Sequence, residues 1–268
     1  MDKRPIGVFD SGLGGLTFVK ELKTIMPHED IVFFGDTGRV PYGSRSRDII
    51  ELYARQDEEF LLSKGVKMIV AACGTVSSVA PNTGNNLPVP FLGVVEPTAA
   101  AAAAATKNKT VGVLGTAATV RSGAYNKALL SIDRSLSVVG VECPLFVPLV
   151  EEGLIGRDEQ ITILAAKRYL KSIIESKADT VILGCTHYPL IAPIIGDILG
   201  GGVTLISAGR ATAHECKRLI EQSNMQTDSE DQGNYAYYVT DRPESFKKTA
   251  ALFLQEEVGA AVSRVQVG

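Results

Sequence analysis

The stretch Ile6-Gly-Val-Phe-Asp10-Ser-Gly-Leu-Gly-Gly15 decides the fold. An apolar run ends in a carboxylate, a hydroxyl and a glycine-rich turn. A strand that is apolar throughout, rather than alternating, is buried on both faces, as in a parallel sheet. The same pattern returns at Val111-Gly-Val-Leu-Gly-Thr-Ala117. A second pair accompanies the first: Ile69-Val-Ala-Ala-Cys-Gly-Thr75 and Val181-Ile-Leu-Gly-Cys-Thr186, each a strand ending in Cys near Thr. The offsets are 105 residues (6 to 111) and 112 residues (69 to 181), a difference that loops absorb. Two similar α/β units follow, each presenting a thiol at the carboxyl end of a strand. Open parallel sheets bind ligands at that edge. Two such edges facing each other would enclose a cleft with one thiol on each wall.

Working outward, short apolar runs alternate with helical patterns along the whole chain. Strands are expected at 6–9, 31–35, 67–72, 91–95, 111–114, 138–142, 180–183, 204–207 and 235–239. Helices are expected at 46–63, 159–176 and 210–222, and in the alanine run that follows Pro97. The alternation indicates an α/β fold with parallel sheets flanked by helices. The polar stretch 223–234 has no apolar periodicity and reads as a mobile loop.

The composition excludes several classes. The 268 residues carry 27 Lys plus Arg and 30 Asp plus Glu, a formal charge of −3. Neither a nucleic acid nor a membrane surface is an expected partner at that balance. The absence of Trp also argues against a stacking platform for single strands. Cys73, Cys143, Cys185 and Cys216 lie far apart, without zinc-ligand spacing, so no metal ligand set is expected. They read as free thiols in a reducing compartment, with the cytoplasm as the expected location.

The turns hold the chemistry. The glycines of the first turn have the wrong spacing for a dinucleotide fingerprint. Gly35-Asp36 to Pro41-Tyr42-Gly43-Ser44 is a second turn at a strand end, and Thr116 and Thr119 offer hydroxyls at a third. Cys185-Thr186-His187 puts a thiol, a hydroxyl and an imidazole together after a strand. By itself that group also suits a Cys–His thiol hydrolase, in which Cys73 would be dispensable. Read together, the pieces suit proton transfer at a carbon without a cofactor: a base on one face and an acid on the other. Asp10 and His187 are suitable neighbours for the two thiols. Cys143 and Cys216 have no polar constellation beside them and read as ordinary packed thiols, and His28 and His214 likewise carry no role.

The motifs Asp10-Ser-Gly-Leu-Gly-Gly15, Gly35-Asp36…Pro41-Tyr-Gly43, Cys73-x-Thr75, Gly115-Thr-x-x-Thr119, Pro148-Leu-Val-Glu151 and Gly184-Cys-Thr-His-Tyr-Pro189 resemble those of the glutamate racemases. These belong to the cofactor-independent aspartate/glutamate racemase superfamily. The match spans nearly the whole chain in the family's order. The resemblance implies two pseudo-twofold-related α/β domains, each a mainly parallel sheet flanked by helices. It assigns 1–97 with 208–268 to the first domain and 98–207 to the second, with the active site between them. Cys73 and Cys185 would be the catalytic thiols, the first deprotonating D-glutamate and the second L-glutamate. Asp10 would assist Cys73 and His187 would assist Cys185, with Asp36 and Glu151 as supporting acids. Asp10, Ser11, Pro41, Tyr42, Gly43, Gly74, Thr75, Thr116, Thr119, Thr186 and His187 would contact the substrate. No cofactor, a homodimer, a bacterial cytoplasm and a supply of D-glutamate to peptidoglycan follow from the same resemblance.

Two positions depart from that pattern. The family usually has Asn between Cys and Thr at the first thiol, where its amide contacts the substrate's α-substituents; this chain has Gly74. Many relatives carry Asp where this chain has Ser207. Aspartate racemase is the nearest rival reading within the superfamily.

Overall fold

In a computed structural model that describes residues 1–258 and 262–267, every strand lies in one of two parallel sheets. The strands are β1 (Ile6–Asp10), β2 (Ile31–Gly35), β3 (Met68–Ala71), β4 (Phe91–Gly93), β5 (Thr110–Gly115), β6 (Ser137–Glu142), β7 (Thr180–Leu183), β8 (Thr204–Ser207), β9 (Tyr235–Val239) and β10 (Val262–Arg264). The first sheet has the order β10-β9-β2-β1-β3-β4 and the second β6-β5-β7-β8. The second sheet therefore repeats the order β2-β1-β3-β4 of the first. Registers match too. Ile6 of β1 sits between Ile31 and Met68, as Val111 of β5 sits between Val138 and Thr180.

The wholly apolar strands are explained by helices on both faces of the first sheet. Ile6, Val8, Phe33, Met68 and Val70 enter one core, while Phe9, Phe34, Ile69 and Ala71 enter the other. Each large apolar side chain among these contributes about 1.5–3 kcal/mol by leaving water, so a polar residue in place of Ile6, Val8 or Phe9 would be costly. In both sheets the order reverses around the first strand of the repeat. β1 lies between β2 and β3, and β5 lies between β6 and β7. A crevice opens there at the carboxyl edge. The residues just past β1, β3, β5 and β7 are Ser11, Cys73, Thr116 and Cys185, so each crevice carries one thiol.

Most expected elements lie within a residue or two of their observed ends, and three differences have identifiable reasons. The strand expected at 91–95 stops at Gly93, because Val95 already begins the helix Val95–Ala105. That helix contains Pro97 in its first turn, where a missing N–H costs nothing. Buried Ala99 and Ala102 let it pack closely on β7 and β8. β10 was not expected; it is a three-residue edge strand whose Ser263 and Arg264 face solvent, so it has no apolar signature. The segment 223–234 is irregular but tied down, not loose. The buried Lys67 ammonium donates to Glu29 Oε2 at 2.5 Å and to the Met225 carbonyl at 2.8 Å, and Thr227 N donates to Glu29 Oε1 at 2.9 Å. Among the described residues no helix is long and apolar enough to cross a membrane.

Ser207 ends β8 and caps the helix Ala208–Gln222, its hydroxyl accepting from Arg210 N at 3.3 Å. Asp, which the resemblance leads one to expect here, can make the same bond, so the departure preserves the cap. Ser207→Ala is expected to lose about 1 kcal/mol of stability in urea unfolding and Ser207→Asp to lose none. Equal losses would show that the cap is not what the side chain contributes.

Candidate active site

The two sheets meet around a cavity of about 520 Å³, within the roughly 300–1,000 Å³ usual for small-molecule sites. Cys73 and Cys185 both line it, as do Ser11, Gly74, Thr75, Thr116, Thr186, His187 and Glu151. Pro41, Tyr42 and Gly43 form another part of its wall. Neither Lys nor Arg lines it, so hydroxyls, backbone N–H groups and His187 are the donors available to a carboxylate.

On the first wall, Cys73 caps the short helix Gly74–Val79 directly beyond β3. Its Sγ donates to Ser11 Oγ at 3.5 Å. Burial pushes the thiol up to about 12, with a further rise from the Asp10 carboxylate, so Cys73 holds its proton. Asp10 ends β1, almost wholly buried; its Oδ2 accepts from Gly12 N at 3.0 Å, and among the described residues its Oδ1 has no close partner. Burial raises this carboxyl as well, against the pull of His187 and the Gly12 amide.

On the second wall, Cys185 Sγ lies 3.9 Å from His187 Nδ1, and His187 Nε2 lies 3.0 Å from Glu151 Oε1. Glu151 closes the helix Phe146–Glu151 and is partly open to water. The His187 ring packs perpendicular to that of Phe253 from the helix Pro243–Leu254, with centroids 5.2 Å apart at 87°. Burial by itself would lower the imidazole. The Cys185 sulfur and the Glu151 carboxylate outweigh it and lift His187 from 6.5 to about 10. The imidazolium is thus the form that stands beside Cys185.

Three expected residues stand behind the wall rather than in it. Thr119 does not line the cavity. It is buried, and its N–H donates to Thr116 Oγ1 at 3.2 Å, which also donates to Thr119 Oγ1 at 3.0 Å. Asp36 is wholly buried, accepting from Arg39 Nε at 2.5 Å, from Thr240 Oγ1 at 2.9 Å and from the Tyr42 hydroxyl. Asp10 is likewise beneath the surface, beside Cys73. Conversely, Cys143, read from sequence as an ordinary thiol, lines the cavity together with Pro144, Val147 and Pro148. Its one sequence signal was its position just past β6, the strand end equivalent to Asp36. Cys216 and His214 stay remote on the helix Ala208–Gln222, Cys216 packed on Met68.

Contacts between the walls set the floor. Thr75 Oγ1 and Thr116 Oγ1 are 3.1 Å apart, and Thr17 Oγ1 donates to the Thr186 carbonyl at 2.9 Å. A Cβ built on Gly74 would collide with the Gly184 carbonyl oxygen, which is backbone and cannot swing aside. The Asn expected from relatives therefore has no room in this arrangement. The glycine allows the two strand ends carrying the thiols to touch.

Two outcomes follow from this geometry. Gly74→Ala should destabilise the protein by about 1–3 kcal/mol, the cost of overpacking, as read by urea unfolding; unchanged stability would mean that the floor opens freely. Glu151→Gln should bring the His187 titration, followed by imidazole NMR, down from about 10. A folded-state value above the unfolded one stabilises the fold at low pH. That share is complete below about 6.5, is lost as pH rises through about 10, and shrinks in Glu151→Gln. An unmoved titration would remove the carboxylate from the account.

The Asp/Glu/Hydantoin racemase family profile matches residues 19–216. A glutamate racemase of Geobacter metallireducens is 41% identical over 97% of this chain and 96% of its own length. Among solved structures, a glutamate racemase isoform of Bacillus anthracis superposes with a TM-score of 0.94 at 34% identity, covering 99% of this chain and 98% of that one. The glutamate racemase of Francisella tularensis, in complex with D-glutamate, does so at 0.91 and 36% identity, again over 99% and 98%. With both the profile and full-length relatives in agreement, the chain belongs to the Asp/Glu/hydantoin racemase family, among its glutamate racemases.

Proposed function

We propose that this chain interconverts L- and D-glutamate by moving the α-proton between Cys73 and Cys185. The observation that carries the proposal is the placement of these thiols, at equivalent strand ends of the two repeated sheets, in one cavity. The α-proton lies between an ammonium and a carboxylate, and inversion needs removal from one face and return to the other. With L-glutamate bound, the Cys185 thiolate takes the α-proton while the Cys73 thiol supplies one to the opposite face. The D enantiomer reverses the roles. Burial and Asp10 keep Cys73 protonated, as the first direction requires. His187, anchored by Glu151, holds a proton beside Cys185. Hydroxyls of Ser11, Thr75, Thr116 and Thr186 suit the two carboxylates of the substrate.

The relatives' names favour glutamate over aspartate as substrate. A Cys–His hydrolase would leave Cys73 without a purpose, and the paired strand ends argue against that. In this reading the reaction needs no cofactor or metal. The chain would act as a homodimer in a bacterial cytoplasm, supplying D-glutamate for peptidoglycan. The first domain would comprise 1–97 and 208–268 and the second 98–207.

The test is incubation with L- or D-glutamate in D₂O without pyridoxal phosphate, following optical rotation and α-deuterium. Interconversion is expected, falling by at least about 100-fold in Cys73→Ala and in Cys185→Ala, the scale of a lost general acid or base. Full activity in Cys73→Ala would overturn the two-thiol mechanism. Turnover of aspartate in place of glutamate would overturn the substrate.

A further inference from the structure

The segment that joins β2 to the helix Arg47–Ser63 crosses the mouth of the cavity, and its residues Val40, Pro41, Tyr42, Gly43 and Ser44 line it. This strap is pinned from behind at two places. Asp36, just past β2, accepts from Arg39 Nε at 2.5 Å and from the Tyr42 hydroxyl. Asp57, in the middle of the helix, accepts from Arg39 Nη2 at 3.1 Å, and its Oδ2 lies 3.2 Å from the oxygen of the same Tyr42 hydroxyl. Both carboxyl side chains have no exposed surface, and Tyr42 has almost none. The Arg39 guanidinium also lies over the Tyr53 ring at 4.1 Å, and Tyr53 packs on Tyr42 at 5.3 Å.

Asp57 belongs to none of the motifs singled out in the sequence, yet it is the group through which the helix holds the strap. Burying two carboxyls against one guanidinium is expensive unless one of them carries a proton. Burial, followed by the charge of Asp36, pushes the Asp57 carboxyl well above the usual range. A neutral acid there shares a hydrogen with Tyr42 and accepts from Arg39 without adding a second buried negative charge.

We propose that Asp57 is a positioning residue for substrate binding, holding the 40–44 strap against the cavity through Tyr42 and Arg39. Asp57 touches neither thiol and does not line the cavity. Its loss therefore loosens the part of the wall that encloses the substrate and leaves the proton-transfer groups in place. This inference rests on glutamate as the substrate. It concerns KM rather than kcat.

The experiment combines racemase kinetics on the full chain with amide hydrogen exchange, read by mass spectrometry over residues 37–46. Asp57→Ala is expected to raise KM for glutamate and quicken exchange in that segment, each by at least about tenfold. That is the scale of a lost hydrogen bond to a charged group. Its kcat should stay within about threefold, and exchange in β1, β3, β5 and β7 should be unchanged. Asp57→Asn, which keeps a neutral group of the same shape, should restore both quantities. Unaltered exchange and KM in Asp57→Ala would overturn the proposal, as would a fall in kcat with KM unmoved. If Asp57→Ala fails to fold, Tyr42→Phe removes only the shared hydroxyl, and unaltered exchange and KM in that variant would overturn the proposal equally. A wild type inactive on glutamate would instead defeat the substrate assignment, and the exchange comparison would still judge the strap.

Discussion

The contact of the Gly74 α-carbon with the Gly184 carbonyl governs how far apart the two thiols stand. Each of these glycines adjoins one of the thiols; Gly184 directly follows β7, and Gly74 begins the helix that follows β3. The strands cannot slide, because a shift of one residue would turn apolar side chains out of one core and into the other. The thiols therefore inherit the rigidity of two cores. The Thr75–Thr116 and Thr17–Thr186 bonds fix the same separation from either side. A reaction that needs an acid and a base on opposite faces of a single carbon depends on such a fixed gap.

The walls reach their proton states by different means. On the first, burial and a like charge act in the same direction, and Cys73 stays neutral without any solvent-exposed partner. On the second, burial and hydrogen bonding oppose each other, and hydrogen bonding prevails only because His187 has acceptors at both ring nitrogens. That row of groups ends at Glu151, whose side chain is 46% exposed, so it opens to water, while Asp10 behind the first wall is buried. The repeated fold thus carries a site that is symmetric in its thiols and asymmetric in their surroundings.

Much of this was readable before any coordinates. Strands buried on both faces advertise themselves as unbroken apolar runs, and the paired runs ending in Cys73 and Cys185 revealed the repeat. What escaped notice has a common cause. Asp57 looks like any acidic residue of an amphipathic helix, since its partners Arg39 and Tyr42 come from a loop whose path no periodicity describes. Cys143 gave no signal beyond its position past β6, because the thiols that share its cavity are distant in sequence. β10 owes its existence to the exposed edge of β9 rather than to apolar residues of its own. Asp36 stood out in the sequence at a strand end, but its place behind Tyr42 was not legible.

The ring of Phe253 beside His187 has a consequence for how the protein comes into being. Every acid–base group named above has left the ribosome by residue 187, but the aromatic ring that seals the second wall is translated some sixty residues later. β9, which flanks β2 in the first sheet, is also late. Nascent chains that already carry both sulfurs cannot yet enclose the imidazole. Only when the helix Pro243–Leu254 packs does the His187 ring gain its aromatic neighbour, so the second wall is finished by the last helix of the chain.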